Sequence, residues 1–433
     1  MLSFSMAFSA CLSLAAPTGL VINIDQAITP PVYEYLLSGI EQAKSNQSDF
    51  IILQLDTPGG LYTTTRDIGQ AILTSPIPII TYVGPAGARA ASAGTFILYA
   101  SHLAAMAPTT HLGAATPISL APSSDDKEPE AAKNKIMEDT RAYMRSLAQH
   151  HGRNQAFGLS AINNATSLTA AEALRAGAIE VIADSIPELL NAAHNLPVQM
   201  ETGIQHLNTQ DASIVHYSPS VKQQILFAIT DPNITYLLLM AGIYGLMIEL
   251  FNPGSMIPGV IGAICLLIAG YSLHILPINY AGLGLISLGV AFLITEAILP
   301  SFGIFGFAGV TALTIGSFFL FEGIRWAQPS LWFMGLILLS LSAGSIALIR
   351  MSIRTHLRQP VSGQEGLVGK HGLVIGVHDN DYSIRISGEI WSATCEEPLE
   401  EGQHIEISGF NGITAQIKPT DFTSTHQPGN TND

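Results

Sequence analysis

The chain has 433 residues, 48% of them hydrophobic and only 12% charged, where soluble domains run at roughly 25% charged. Its 18 Lys and Arg face 33 Asp and Glu, a net charge of −15, which excludes a phosphate-driven nucleic-acid binder, because such proteins carry clustered cations. An ordinary cytosolic enzyme and a disordered chain are excluded as well, and part of the molecule is expected in lipid.

Residues 1–16 are apolar and small, with Ser13 and Ala15 at the −3 and −1 positions of a signal-peptidase site. They read as a signal peptide or, since no basic residue opens them, as an N-terminal anchor. From Gly19 to Leu190, short apolar runs (20–24, 50–55, 79–83) alternate with helix-length segments (31–43, 64–73), the pattern of βαβ units around a buried parallel sheet. A loop at 116–132 rich in Pro, Ser and acids precedes a helix over 134–150. The capping box Thr169-Ala170-Ala171-Glu172 opens another helix, and 179–183 reads as a strand. Residues 17–215 are expected to form one exported domain, with a connector at 191–215.

Within 216–232, Val221, Ile225, Leu226 and Ile229 fall on one helical face, suiting an interfacial helix. Five hydrophobic segments follow within 233–351, each near the roughly 20 residues that cross a bilayer. Glu249-x-x-x-Pro253 with Ile257, Gly259 and Gly262 recurs 47 residues later as Glu296-x-x-x-Pro300 with Ile304, Gly306 and Gly309. The simpler reading of the two carboxylates is placement near helix ends at the interface, the sharper one a buried functional pair. Arg350, Arg354 and Arg358 put the C-terminal side in the cytoplasm and, with five crossings, residues 17–215 outside. Residues 363–420 read as five or six short strands, suiting a small OB-like barrel; with eleven acids against three cations over 363–433, nucleic acid is not its partner. Residues 421–433 are polar and expected to be disordered.

Two places carry candidate chemistry. The turn Asp56-Thr57-Pro58-Gly59-Gly60 follows a strand, where backbone amides beside glycines can aim at an oxyanion. Ser92 sits among small residues in Gly84-Pro85-Ala86-Gly87-Ala88-Arg89-Ala90-Ala91-Ser92-Ala93-Gly94, between a strand and a helix, as a nucleophile elbow requires. A serine needs a base. His102 and His111 lack an obvious orienting acid, and Lys127, Lys133 and Lys135 are the lysines in reach, lysine being a base once desolvation lowers its pKa. The three cysteines, Cys11, Cys265 and Cys395, offer neither a metal spacing nor a disulfide framework.

These two motifs, with Ser146-Leu147-Ala148-Gln149, Gly152-Arg153-Asn154, the membrane block and Gly388-Glu389-x-Trp391, resemble the NfeD family of membrane-bound serine proteases, of the Clp-protease/crotonase structural class. The resemblance covers nearly the whole chain. It implies a Ser-Lys dyad of Ser92 and Lys135, an oxyanion hole from Gly59 or Gly60 and Ala93, and no cofactor. Soluble Clp proteases carry a catalytic histidine where this chain reads Gly113-Ala114-Ala115, which favours lysine. The implied substrates are hydrophobic segments such as the C-terminal region of stomatin-like membrane proteins, cut by a homodimer or higher homo-oligomer. The implied role of the barrel is protein interaction. The rival reading is a non-hydrolytic membrane scaffold for stomatin-like proteins; a crotonase-type acyl-CoA enzyme would want a carboxylate base that is not evident.

Overall fold

The computed structural model describes residues 16–117, 130–251, 254, 256–299, 301, 303–322, 327–356, 364–378 and 381–420. Residues 1–15, most of the loop at 116–132 with Lys127, the prolines 253 and 300, Arg358 and the tail 421–433 lie outside them. In chain order the first part comprises β1 (Thr18–Ile24), α1 (Pro30–Ser45), β2 (Phe50–Leu55), α2 (Tyr62–Leu73), β3 (Ile79–Val83), β4 (Arg89–Ala91), α3 (Ala93–Ala100), β5 (Leu103–Met106), β6 (His111–Gly113), α4 (Glu130–His151), α5 (Gln155–Asn163), β7 (Ser167–Thr169), α6 (Ala170–Ala176), β8 (Val181–Ile182), α7 (Ile186–Ala193), β9 (Pro197–Met200), β10 (Gly203–His206) and β11 (Ser213–Tyr217).

The unbroken aliphatic runs of β1, β2 and β3 need cover on both faces, and they lie inside a sheet ordered β11-β1-β2-β3-β5-β8 whose pairings are all parallel. Pleating sends alternate residues to opposite sides. Leu20, Ile22, Leu53 and Ile79 join the core under α1, α2 and α3, while Val21, Ile52 and Ile80 meet Leu189 and Val198 on the other face. A smaller sheet, β4-β6-β7, stands apart from the large one. The α/β class expected from the sequence is the one observed. The stretch 191–215 is more than a connector: it carries the β9–β10 hairpin and leads into β11, which pairs with β1 from Thr18 opposite Ser213 to Ile22 opposite Tyr217. As an edge strand with mostly exposed side chains, β11 lacks the apolar run that marks a buried one.

All eight residues of α3 are buried, so the carbonyls at its C-terminal end need partners. Arg153 supplies them. Its Nη1 donates to Leu98 O (2.9 Å), Tyr99 O (3.0 Å) and Ser101 O (2.8 Å). Nε and Nη2 form a two-pronged pair with Glu180, both contacts 2.9 Å. Glu180 in turn accepts from the Ala104 amide at 2.6 Å. The neighbouring motif residues have local roles: Gly152, at φ +67°, lets the chain turn after α4, and the Asn154 side chain caps α5 by accepting from Phe157 N–H.

Helices α8 (Val221–Ile229), α9 (Pro232–Phe251), α10 (Ile257–Ile275), α11 (Tyr280–Ile298), α12 (Ile304–Leu320) and α13 (Leu331–His356) follow. By length and composition α9 and α10 suffice to cross a bilayer, while the apolar stretches 280–296, 304–320 and 331–344 are shorter. The 47-residue repeat is visible in space. A Cβ at Gly262 would meet Gly242 O at 2.8 Å, and one at Gly309 would meet Gly289 O at 2.9 Å, so glycine permits close contact in both helix pairs. Glu296 is only 4% exposed and accepts from Ser301 N–H (3.1 Å), Ser301 Oγ (2.5 Å), Gly303 N–H (3.0 Å) and Gly306 N–H (3.2 Å). It is a buried cap on α12. Glu249 packs over Gly259, the repeat equivalent of Gly306, whose Cβ would meet Glu249 Cγ at 2.9 Å.

The C-terminal unit is a closed barrel ordered β12-β13-β14-β16-β15, with β12 (His371–His378), β13 (Asp381–Ile386), β14 (Glu389–Thr394), β15 (His404–Asn411) and β16 (Thr414–Pro419). Val374, Ile384, Ile405 and Ala415 fill it. A 3-10 turn at Gln364–Leu367 precedes the first strand.

Replacing Arg153 by leucine should cost about 3–5 kcal/mol, because it leaves Glu180 without its counter-charge and removes the guanidinium from the Leu98, Tyr99 and Ser101 carbonyls. Urea unfolding of the detergent-solubilised chain measures this; a loss under about 1 kcal/mol would show that the buried pair carries no more than a surface one.

Candidate active site

The carboxyl ends of β2 and β3 lie side by side, the edge at which open α/β sheets bind ligands. From β2 the chain enters the Asp56–Gly60 turn, and from β3 it passes through the Gly84–Ala88 loop into β4. The two are laced together: Thr57 N–H donates to Arg89 O (2.8 Å), Ala91 N–H donates to Thr57 O (3.1 Å), and Asp56 Oδ1 accepts from Arg89 N–H (3.0 Å). Ser92 comes next, at the head of α3, with φ 52° and ψ −108°.

That backbone is a strained one for a residue with a Cβ, and its neighbours impose it. Ser92 N–H donates to Gly113 O (2.9 Å), and Ser92 O accepts from Thr95 N–H (3.0 Å). Thr95 Oγ1 lies 2.9 Å from Ala90 O and 3.0 Å from Gly113 O, and accepts from Gly113 N–H at 3.0 Å. Small residues are required around it. A Cβ at Gly94 would stand 2.8 Å from Thr57 Cγ2 and 3.1 Å from the Ala90 methyl. The turn is an elbow that presents the Ser92 hydroxyl at the start of a helix, where unpaired amides favour developing negative charge. Thr95 and Gly113 were invisible as supports in the sequence, since nothing local ties them to a serine.

The two glycines differ. Gly59, at φ 128°, donates its N–H to Thr57 Oγ1 (3.2 Å) and its carbonyl accepts from Ile28 N–H (2.8 Å). Gly60 N–H donates to no described residue, and a Cβ there would collide with Ile28 O at 2.3 Å. Among the described residues the amides of Gly60 and Ala93 therefore have no backbone partner, and Gly59 shapes the turn.

Lys135 lies near the start of α4 and is exposed. Its helix is fixed across α2 and α3 by the Arg66 Nη1–Asp139 Oδ2 ion pair (2.6 Å) and by Tyr143 stacked on Phe96 with centroids 6.1 Å apart. Among the described residues no hydrogen bond joins Ser92 to Lys135. Lys133 belongs to α4, and its side chain lies outside the described residues. The histidines are placed elsewhere. His111 is exposed on β6 opposite Arg89. His102 is buried with Nδ1 accepting from Ile79 N–H (3.0 Å), and His151 Nε2 lies 3.1 Å from Ala100 O. Burial, reinforced by the nearby Arg153 charge, pushes His102 down to about 4 and His151 to about 3. Among the described residues no cluster of His, Cys, Asp or Glu could hold a metal ion. Beside the turn lies a cleft of about 530 Å³, walled by Asp25, Asp56, Pro58 and Arg89 and, from the approach to the membrane helices, by Phe227 and Asp231.

An α/β domain with a serine elbow and oxyanion-type amides, joined to a block of apolar helices and a barrel, defines a membrane protein with a hydrolase-like site. Three family models match it in succession: the NfeD1b N-terminal domain over residues 18–217, the NfeD integral membrane domain over 233–352 and the NfeD-like C-terminal, partner-binding domain over 364–419. The chain is 36% identical over 405 residues to Membrane-bound protease PH1510 of Pyrococcus horikoshii, covering 91% of each. It is 30% identical over 306 residues to Membrane protein NfeD1b of Bacillus subtilis, covering 70% of this chain and 67% of that one. It belongs to the NfeD family. Similar solved structures include a lysine-to-alanine mutant of the 1510-N membrane-bound stomatin-specific protease in complex with a substrate peptide (38% identity, TM-score 0.47) and the 1510-N membrane protease specific for a stomatin homolog from Pyrococcus horikoshii (36% identity, TM-score 0.43). Each covers 50% of this chain and 100% of the other.

Two outcomes follow from this geometry. Both buried imidazoles have native pKa values below the ordinary 6.5, so the unfolded chain binds their protons first. Their contribution is intact above pH 6.5 and falls on acidification toward about 4, by about 1.4 kcal/mol per pH unit for each imidazole. Urea midpoints between pH 7 and 5 should drop accordingly, and drop less in His151→Asn. Ser92→Gly should stabilise the fold by about 1 kcal/mol, a strain of 1–3 kcal/mol being released against the extra chain entropy of glycine. A Ser92→Gly protein no more stable than Ser92→Ala would show that the elbow is relaxed.

Proposed function

We propose that this chain is an integral membrane serine endopeptidase in which Ser92 is the nucleophile and Lys135 the base. The observation that carries the reading is the strained elbow at Ser92, on a turn laced to the Asp56–Gly60 turn by Thr57 and Ala91. Membership of a family that includes a membrane-bound protease 36% identical over 91% of the chain supports it. In the first step Ser92 Oγ attacks the scissile carbonyl while Lys135 Nζ takes the hydroxyl proton. The tetrahedral oxyanion is met by the Gly60 and Ala93 amides, each such donor contributing ~3 kcal/mol. The ammonium then protonates the leaving amine, and water, deprotonated by the same lysine, releases the acyl group.

The exposure of Lys135 bears on how the site is completed. A lysine accepts a proton only as the neutral amine, and desolvation favours that form. Lys135 and the 43% exposed Ile136 beside it present a surface that a bound apolar peptide or a second copy of the domain would cover. Hydrophobic substrates and a homodimer or higher homo-oligomer fit that requirement. A stomatin-like membrane protein is the proposed substrate or partner, as for the stomatin-specific relative, with the barrel contributing partner binding. The placement of the cations supports a catalytic domain outside the cell membrane and a barrel in the cytoplasm.

Mass-spectrometric mapping of an apolar-rich peptide mixture should show products with the wild-type chain and none with Ser92→Ala. Lys135→Ala should lower the rate by 10² or more, and Lys133→Ala by little. Identical peptide maps from wild type and Ser92→Ala, with partner binding retained in both, would overturn the protease in favour of a non-hydrolytic scaffold.

A further inference from the structure

Helix α8 joins the sheet domain to the membrane block, and its two sides keep different company. On the inner side Phe227 meets Tyr35 of α1 edge-on, with centroids 5.7 Å apart, and Gln223 Nε2 donates to Ser38 Oγ (3.2 Å). At its end, Ile229 O accepts from Ser272 Oγ of α10 (2.5 Å) and Thr235 Oγ1 of α9 (3.0 Å). The helix is thus fixed to the catalytic domain along one side and to two membrane helices at its C-terminus.

Among the described residues the outer side has no such partners. Val221 is 73% and Ile225 56% exposed, and Ala228 is exposed as well; spaced i, i+4, i+7, the three form one stripe. Lys222 and Gln224 flank it and are also exposed. Leu226 and Ile229, which the sequence placed on the same face, turn partly inward. Exposed apolar side chains are common on any surface, but here location decides. Only Thr230 and Asp231 separate α8 from Pro232, where the first membrane-crossing helix begins, and Asp231 Oδ1 caps that helix by accepting from Asn233 and Ile234 N–H (2.8 and 3.2 Å). At 1.5 Å per residue a nine-residue helix is ~14 Å long, so the whole stripe lies close to the bilayer edge, within reach of an ammonium that can snorkel to headgroups.

We propose that α8 lies in the bilayer surface with Val221, Ile225 and Ala228 against lipid, continuous with the lipid-facing surface of α9. Because Phe227 and Asp231 of this junction also wall the cleft beside Pro58, the helix holds that cleft at membrane level. The cleft borders the Asp56–Gly60 turn and not Ser92 itself; on the protease reading, the polypeptide it would take at that level is one still anchored in the bilayer. This consequence rests on the protease reading; the lipid contact does not.

Spin labels introduced by V221C, I225C and Q224C into a cysteine-free full-length chain, reconstituted in phosphatidylcholine–phosphatidylglycerol vesicles, test the contact. Collision with oxygen should exceed collision with a water-soluble nickel chelate at 221 and 225, and the order should reverse at 224. Equal, water-like accessibility at all three overturns the proposal. In a second arm, the double variant Val221→Asp with Ile225→Asp should cut cleavage of a single-span substrate about tenfold and leave cleavage of the detached peptide unchanged. Equal loss on both substrates, or on neither, overturns the membrane-level role of the cleft. Absence of cleavage by the wild type on either substrate would count against the protease reading alone, the spin-label arm still deciding the lipid contact.

Discussion

A helix buried along its entire length has to have both ends satisfied, and α3 is such a helix. Its C-terminal carbonyls are taken by Arg153, whose charge is balanced by Glu180. Its N-terminal end starts at Ser92, whose side chain makes no capping hydrogen bond. The asymmetry is what makes the turn chemically useful: one end of the dipole is neutralised inside the protein, and the other is offered to whatever binds. The strain at Ser92 is sustained because Gly113 belongs to β6, Thr95 to α3 and Thr57 to the turn after β2, so relaxing it disturbs three elements at once.

The membrane block meets the same problem in a medium that offers no water. There the N-terminus of α12 is satisfied by Glu296, a carboxylate carried by the preceding helix, as the N-terminus of α9 is satisfied by Asp231. An unpaired amide in hydrocarbon costs several kcal/mol, and a carboxylate that accepts from several amides is itself paid back in hydrogen bonds. The recurrence of Glu and two glycines at the same spacing is therefore legible as a structural unit, a helix hairpin in which the carboxylate of the first helix packs on the start of the second, capping it in the Glu296 copy. It gives a reason for ionisable groups in an apolar segment that involves no transport or catalysis.

Much of this was readable in the residues, and the failures have physical causes. β2 and β3 were legible because buried parallel strands need continuous aliphatic runs, and the serine elbow because only small residues fit around it. β11 was not, because an edge strand is half solvated and needs no such run. Gly152-Arg153-Asn154 was legible as a motif but not as a helix-end clamp: its carbonyl partners are more than fifty residues away in sequence, and only the fold brings them together. Gly59 and Gly60 were interchangeable on paper. They separate once Thr57 Oγ1 is seen to occupy the Gly59 amide, a contact that depends on the turn and not on composition.

The arrangement of the proposed dyad differs from that of a triad in a consequential way. A histidine triad carries its own orienting acid and is preassembled within one chain. Here the two histidines nearest the core are committed to backbone partners and held neutral by burial, and Lys135 stands exposed on a helix whose register is fixed at Asp139 and Tyr143, one and two turns further along. The scaffold of the site is therefore rigid while the environment of the base is not self-supplied. If the exposed start of α4 is covered only when substrate or a second copy arrives, desolvation of the lysine and binding of the peptide become one event. A protease built this way would be inactive toward passing soluble chains, and its selectivity would reside less in a specificity pocket than in the requirement that the site be closed by an apolar partner.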